Sequence, residues 1–203
     1  MNYLAHIYLA DHGSEKLLLG NFLGDFVRKS EEPAYEDTIR QGIHMHRKID
    51  SFTDSHPIFL ISRRRVSDLN RRYAGVLVDM FYDHFLAKNW QGYSGIHLEK
   101  YVHSFYEVLN RNITILPGKL KRIMPYLTEE NWLLNYREIS GIEQAVNNIA
   151  RRFAHSRRPM NQPIMELINN YEGLENDFRA FFPQAVDYAN QLIQMIEDEE
   201  IYR

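Results

Sequence analysis

Asp79 and Asp83 stand four residues apart in the segment Val76-Leu77-Val78-Asp79-Met80-Phe81-Tyr82-Asp83-His84-Phe85-Leu86, which is otherwise almost entirely apolar. On a helix, positions i and i+4 lie one above the other on the same face. A helix apolar on its other sides is normally buried, so this one carries two carboxylates inward on a single stripe. Two like charges that close repel, and burying either unpaired costs several kcal/mol. A bound cation resolves both problems. Exposure to water, or arginines from another helix, would also do so.

Two further segments mix ligand-type residues with apolar ones. In Gly20-Asn21-Phe22-Leu23-Gly24-Asp25-Phe26-Val27, Asn21 and Asp25 share a face, and the two glycines let a backbone or a ligand come close. Ordinary helix packing, with Asp25 bonded to an arginine, accounts for the same pattern. In Gly42–Asp54, His46, Asp50 and Asp54 repeat every four residues and form a polar stripe. An imidazole and a carboxylate at that spacing can converge on one metal or one water. The plainer alternative leaves them solvated, with Asp54 capping the helix that starts at Pro57. His44 points in a different direction from His46 and pairs better with Lys48. His6 sits among apolar residues and is a weak signal by itself. His84 faces about 100° away from Asp83, which suits orienting a neighbour.

Histidines and aspartates without a cysteine favour a hard or borderline divalent ion such as Mn²⁺, Mg²⁺ or Fe²⁺ over structural zinc. The chain has no P-loop, dinucleotide fingerprint, GxSxG elbow or HExxH motif. Metal-assisted hydrolysis of a phosphate ester is the leading reaction class. The spacing does not name the substrate.

These side chains must be positioned by helices. Nearly every long segment has helical periodicity, and no convincing run of alternating strands appears. The 203 residues suit one all-α domain, a multi-helix bundle over 1–203. Helices are expected at 1–9, 14–29, 35–53, 57–73, 76–90, 97–114, 119–125, 128–136, 139–155, 164–181 and 184–200. Pro183 separates the last two, and Gly173 should kink or split the former of them. Hydrophobic residues at 44% and charged residues at 25% are ordinary for a globular chain. The start, MNYLAHIYLADHG, lacks a basic n-region, and no stretch approaches a membrane span. A cytoplasmic protein is the default expectation. The formal charge of −3 argues against nucleic acid as a partner. Basic clusters at Arg63-Arg64-Arg65, Arg71-Arg72 and Arg151-Arg152 with Arg157-Arg158 still permit one positive patch for an acidic partner. Acidic residues gather at Glu197-Asp198-Glu199-Glu200. Oligomeric state is not legible.

Taken in order, MNYLAHIYLA, GNFLGDFVR, GIHMHRKIDSFTDSHP and VDMFYDHFLAKNW resemble the bacterial acyl carrier protein phosphodiesterases, distant relatives of the His-Asp metal-dependent phosphohydrolases. The resemblance covers roughly residues 1–90. It implies hydrolysis of the phosphodiester joining 4′-phosphopantetheine to a serine of holo acyl carrier protein, and Mn²⁺ as the working ion. It implies Asp25, His44, His46, Asp50, Asp79 and Asp83 as metal ligands. Asp25, His6 and Arg47 are the candidate catalytic residues, with Arg47, Lys48 or a clustered arginine facing the developing charge. The pair Asp83-His84 reverses the order usual in the wider superfamily. Two alternatives stay open: a phosphohydrolase acting on a nucleotide or other small phosphate ester, and a non-enzymatic helical protein that binds an acidic partner.

Overall fold

The computed structural model describes residues 1–201, with side chains to 198, so the side chains of Glu199 and Glu200 of the acidic run lie outside what is described. Eleven α-helices and short 3-10 turns make up the described residues, with no strand among them. In chain order they are α1 (Tyr3–Leu9), α2 (Glu15–Leu23), α3 (Asp37–Ser55), α4 (Pro57–Arg65), α5 (Ala74–Lys88), α6 (Leu98–Arg111), α7 (Gly118–Glu129), α8 (Trp132–Asn135), α9 (Ile139–Arg152), α10 (Pro163–Asn169) and α11 (Tyr171–Ile201). The all-α expectation is met. No described helix is long and apolar enough to cross a membrane.

α5 is buried almost all round, as its composition requires, with Leu77, Val78 and the whole run Met80–Ala87 inside. Its Asp83 solves a problem at the start of α1. Asn2, at the N-cap of α1, makes no side-chain cap bond, so the first amides of that helix need another acceptor. Leu4 N–H donates to Asp83 Oδ2 at 2.8 Å and Ala5 N–H to Oδ1 at 3.0 Å. A carboxylate from α5 thus caps α1 and fixes its position.

α2 and α3 touch backbone to backbone. A Cβ on Gly20 would lie 2.1 Å from the Ile39 carbonyl oxygen, and one on Gly42 would lie 2.3 Å from that of Leu17. The close approach foreseen at Gly20 is therefore taken by α3.

Several boundaries differ from expectation. The helix expected over 57–73 stops at Arg65, and a 3-10 turn occupies Arg71–Tyr73. Glu166 of α10 takes the Ser67 amide at 2.9 Å, while Arg71 caps the Arg63 and Arg64 carbonyls at 3.2 and 2.9 Å. The break near Gly173 lies instead at Asn170, and Gly173 sits inside α11. Its missing side chain leaves room for Arg65, whose guanidinium would be 2.5 Å from a Cβ there. Arg65 crosses it to clasp Asp177 through Nε at 2.7 Å and Nη2 at 3.1 Å. Pro183 does not end a helix either, and α11 runs through it. Interior proline costs about 3 kcal/mol. Phe178, Phe181, Phe182, Ala185 and Ala189 are buried on both sides of it, and fully burying one Phe contributes about 1.5–3 kcal/mol. Packing outweighs the local preference. α7 passes Pro125 in the same way, with Leu127 buried beyond it.

Gly42→Ala should lower stability by about 1–3 kcal/mol or more, because rigid backbone meets the added methyl. Gly95→Ala, with nothing within 4 Å of its Cβ, serves as the neutral control. Equal denaturation midpoints for the two variants would contradict the close α2–α3 contact.

Asp83→Ala should cost about 1–3 kcal/mol, since it strands buried amides. Burial pushes Asp83 up to about 7, against the pull of the Leu4 and Ala5 amides. A carboxyl raised in the folded state holds a proton that the unfolded chain has lost. Its contribution is complete below the ordinary carboxylate value of about 4 and is lost as pH rises through the folded value. Unfolding free energies of wild type should therefore fall across that window relative to Asp83→Asn, which does not titrate. Parallel curves would show that Asp83 ionises normally.

Candidate metal centre

Four helices and the chain's first residue meet at one point. α1 supplies His6, and the Asp83 cap at its start fixes where that ring lies. α3 supplies His46 and Asp50, one turn apart as their spacing demands. The turn after α2 supplies Asp25, and α5 supplies Asp79. The His6 and His46 rings stack with centroids 3.8 Å apart and an interplanar angle of 21°. His6 Nε2 lies 3.1 Å from Asp50 Oδ1, and His46 Nε2 lies 3.1 Å from Asp50 Oδ2. His6, His46 and Asp50 each offer a ligand atom, and these all lie within 4.8 Å of one another. Asp25 Oδ1 is 3.7 Å from His46 Nε2. Asp79 joins through the Met1 α-ammonium, which lies 2.9 Å from Asp79 Oδ1 and 3.2 Å from Asp50 Oδ1.

The two sides of the cluster differ. Both imidazoles are buried, whereas Asp25 and Asp50 each expose 38% of their side chains. Gly24 makes the buried side possible, because a Cβ there would lie 2.3 Å from His46 Cγ. This is the second use of the Gly20/Gly24 spacing: one glycine admits a helix, the other a ligand-type ring.

The electrostatics suit a cation. Burial, together with the neighbouring His46 and the α-ammonium, lowers His6 to about 4 despite the pull of Asp50, so the ring is neutral near pH 7. Its Nδ1 lies 2.9 Å from Asn21 Oδ1. The ring proton then sits on Nδ1, and Nε2 keeps the lone pair that a metal takes. That lone pair faces a carboxylate oxygen, an arrangement that a cation between them makes favourable. Burial would raise Asp50, but contacts with His46 and His6 and the ammonium charge hold it well below the usual carboxylate range. Burial raises Asp79 even with the ammonium beside it. Burial also opposes the ammonium charge, yet Asp79 and Asp50 hold that amine up at about 11. His46 Nδ1 is buried with no hydrogen-bond partner. Two imidazoles and several carboxylates fit a divalent ion of nitrogen and oxygen preference.

Not every expected residue joins this group. His44 is exposed and its Nε2 lies 2.9 Å from Glu32 Oε2. Arg47 pairs with the other oxygen of Glu32. Both therefore hold a buried acid on the far side of α3 from His46. Asp83 spends both oxygens on the α1 amides, so the i, i+4 stripe of α5 divides: Asp79 faces the cluster and Asp83 serves the fold. Asp54 is exposed, one turn beyond Asp50, with its charge felt by Asp79. His84 bonds the Tyr136 carbonyl and the Tyr171 hydroxyl, both at 2.8 Å, and orients those elements instead of a ligand. His6, a weak signal in its own segment but named among the candidate catalytic residues, lies in the cluster with His46 and Asp50. The part of Asn21 in orienting His6 went unseen, although its i, i+4 relation to Asp25 had marked it out.

Comparison with known proteins bears on the whole chain. No solved structure matches it. The family described as acyl carrier protein phosphodiesterase matches residues 1–185. A Photorhabdus laumondii protein named acyl carrier protein phosphodiesterase is 31% identical over 206 aligned positions, covering 100% of this chain and 98% of that one. An Escherichia coli protein of the same name is 35% identical over 199, covering 94% and 98%. With that agreement extending well past the opening 90 residues into α11, the chain belongs to the acyl carrier protein phosphodiesterase family.

Proposed function

We propose that this protein is a cytoplasmic hydrolase that cleaves the phosphodiester between 4′-phosphopantetheine and a serine of holo acyl carrier protein. The products are apo carrier protein and 4′-phosphopantetheine. The observation that carries the chemistry is the convergence of His6, His46 and Asp50 from α1 and α3 within 4.8 Å. The names of the relatives support the substrate.

The residues that would hold an ion are His6, His46 and Asp50, with Asp25 and Asp79 beside them. Mn²⁺ is the ion proposed, with Mg²⁺ or Fe²⁺ as alternatives. Such an ion, when bound, lowers the pKa of water and neutralises phosphoryl oxygens. Asn21 keeps the His6 lone pair turned inward. Asp25 Oδ1, on the open side, is placed to accept the proton that the attacking water gives up. The water oxygen bonds to phosphorus, the bond from phosphorus to the serine oxygen breaks, and the proton held by Asp25 is given up to that oxygen, which leaves as the hydroxyl of apo carrier protein.

The basic clusters are now distinguishable. Arg65 is committed to Asp177, and Arg71 to Asp68 and two carbonyls. Arg151, Arg152, Arg157 and Arg158 are exposed and without an ion pair among the described residues. Lys119 lies 5.4 Å over the Phe26 ring, next to Asp25. The end of α9 is therefore the surface proposed to receive an acidic carrier protein.

Intact-mass measurement of holo carrier protein incubated with enzyme and Mn²⁺ should show loss of the prosthetic group. Asp25→Ala, His46→Ala and Asp50→Ala should each slow this by about a hundredfold or more. The last two should also reduce bound metal measured by elemental analysis. Gly24→Ala should behave like His46→Ala by displacing the ring, whereas His44→Ala should retain turnover within a few-fold. Full activity in Asp50→Ala, or its loss only in His44→Ala, would place the centre elsewhere.

Raising salt should increase KM for carrier protein more than it lowers kcat, because exposed charges are screened beyond about 8 Å at physiological ionic strength. Reversal of Arg151 and Arg152 to glutamate should do the same, and reversal of Arg71 and Arg72 should do much less. Steady-state kinetics checks this. Equal losses on a small phosphodiester would transfer the effect from docking to the centre itself.

A further inference from the structure

A cleft with about 590 Å³ of empty space, part of it open to solvent, lies between α8, α9, α5 and the start of α1. Tyr3 and Met80 are among the residues that line it. Met80 follows Asp79, and Asn2 and Tyr3 follow Met1, so this end of the cleft adjoins the ion pair at the edge of the metal centre. Tyr3 reports the same proximity. Burial raises its hydroxyl above the normal range, with the Asp25 carboxylate adding to the rise and Arg152 opposing it. Arg152, at the end of α9, also lines the cleft. The cleft therefore lies between the candidate centre and the basic surface proposed for docking.

Its lining is chemically selective. Asn2, Asn135, Gln144 and Asn148 are among the residues that line it, together with Trp132 and Tyr136, and no carboxylate does. Asn135 Nδ2 donates to the Glu130 carbonyl, and Asn148 Oδ1 accepts from Arg151. Asn2 Nδ2 is buried against the Tyr136 hydroxyl at the wall of the cleft. Carboxamides supply paired donors and acceptors that match secondary amides, and the rings cover methyl groups. An uncharged chain carrying amides, with a branched apolar portion, fits each of these.

We propose that this cleft holds the pantetheine arm of the substrate while its phosphate lies at the metal centre. The inference rests on the function proposed above, and it makes α8 and α9 the source of specificity for the prosthetic group. Carrier protein without the arm would then gain nothing from the cleft, which favours release of the apo product.

The test uses two substitutions on α9. Ala145→Trp fills the cleft, and Asn148→Ala removes one carboxamide with less risk to folding. Calorimetric titration of 4′-phosphopantetheine into wild type should show binding. Ala145→Trp should weaken it about tenfold or more, as overfilling does, and Asn148→Ala about three- to tenfold, as loss of a hydrogen bond does. KM for holo carrier protein should rise by similar factors, while turnover of bis(p-nitrophenyl) phosphate, which has no arm, should be unchanged. No binding by wild type, or the same binding by both variants, overturns the inference. If wild type hydrolyses holo carrier protein but neither substitution alters binding or KM, the cleft assignment fails and the function stands. If the arm binds in a cleft-dependent way but holo carrier protein is not cleaved, the function fails and the cleft assignment stands.

Discussion

The bond from the Asp83 carboxylate to the first amides of α1 is the contact on which the site depends. α1 has only seven residues, too few to be stable as an isolated helix. It exists because a buried acceptor on α5 completes its first turn and because its apolar side chains pack into the core. His6 follows directly on those amides, so its position follows from the cap. The cost of burying one acid is offset by two backbone hydrogen bonds, and the result is an imidazole held where an ion can use it.

The second constraint is the close approach of α2 and α3. Gly20 and Gly42 bring the backbones together, and Gly24 then leaves the space that the His46 ring fills. Asn21, on the same short helix, reaches His6. The residues of α2 that touch the two imidazoles thus act through shape and orientation, while the acids on the open side stay partly in water. With buried rings opposite half-exposed acids, the ring side defines position and the acid side can adjust to what arrives.

The sequence was informative where a local rule was broken. Acids in an apolar helix, glycines inside another and a His–Asp stripe on a third all marked real features, and His46, Asp50 and Asp25 do come together. What one helix cannot reveal is which way its stripe turns relative to the others. Asp79 and Asp83 share a face in sequence, but the first turn of α1 is capped by one of them only. His44 and His46 lie two residues apart, and only the packing of the turn at Glu32–Ala34 against α3 shows that the first belongs with Glu32. The helix boundaries failed where tertiary contacts overruled local preference: at Pro183, held by buried phenylalanines before it and alanines after it, and after Arg65, where Glu166 captured a backbone amide.

α11 lies against α1, α3, α4, α5 and α10, so the last long helix of the chain braces helices made near its beginning. Contacts between segments so distant in sequence form late and slow folding, because the intervening loop must close before they repay the cost. During synthesis, α1, α3 and α5 emerge from the ribosome long before the helix that supports them. The His–Asp cluster on α1 and α3 therefore takes its final form only after α11 has been made, although its own residues lie in the first part of the sequence.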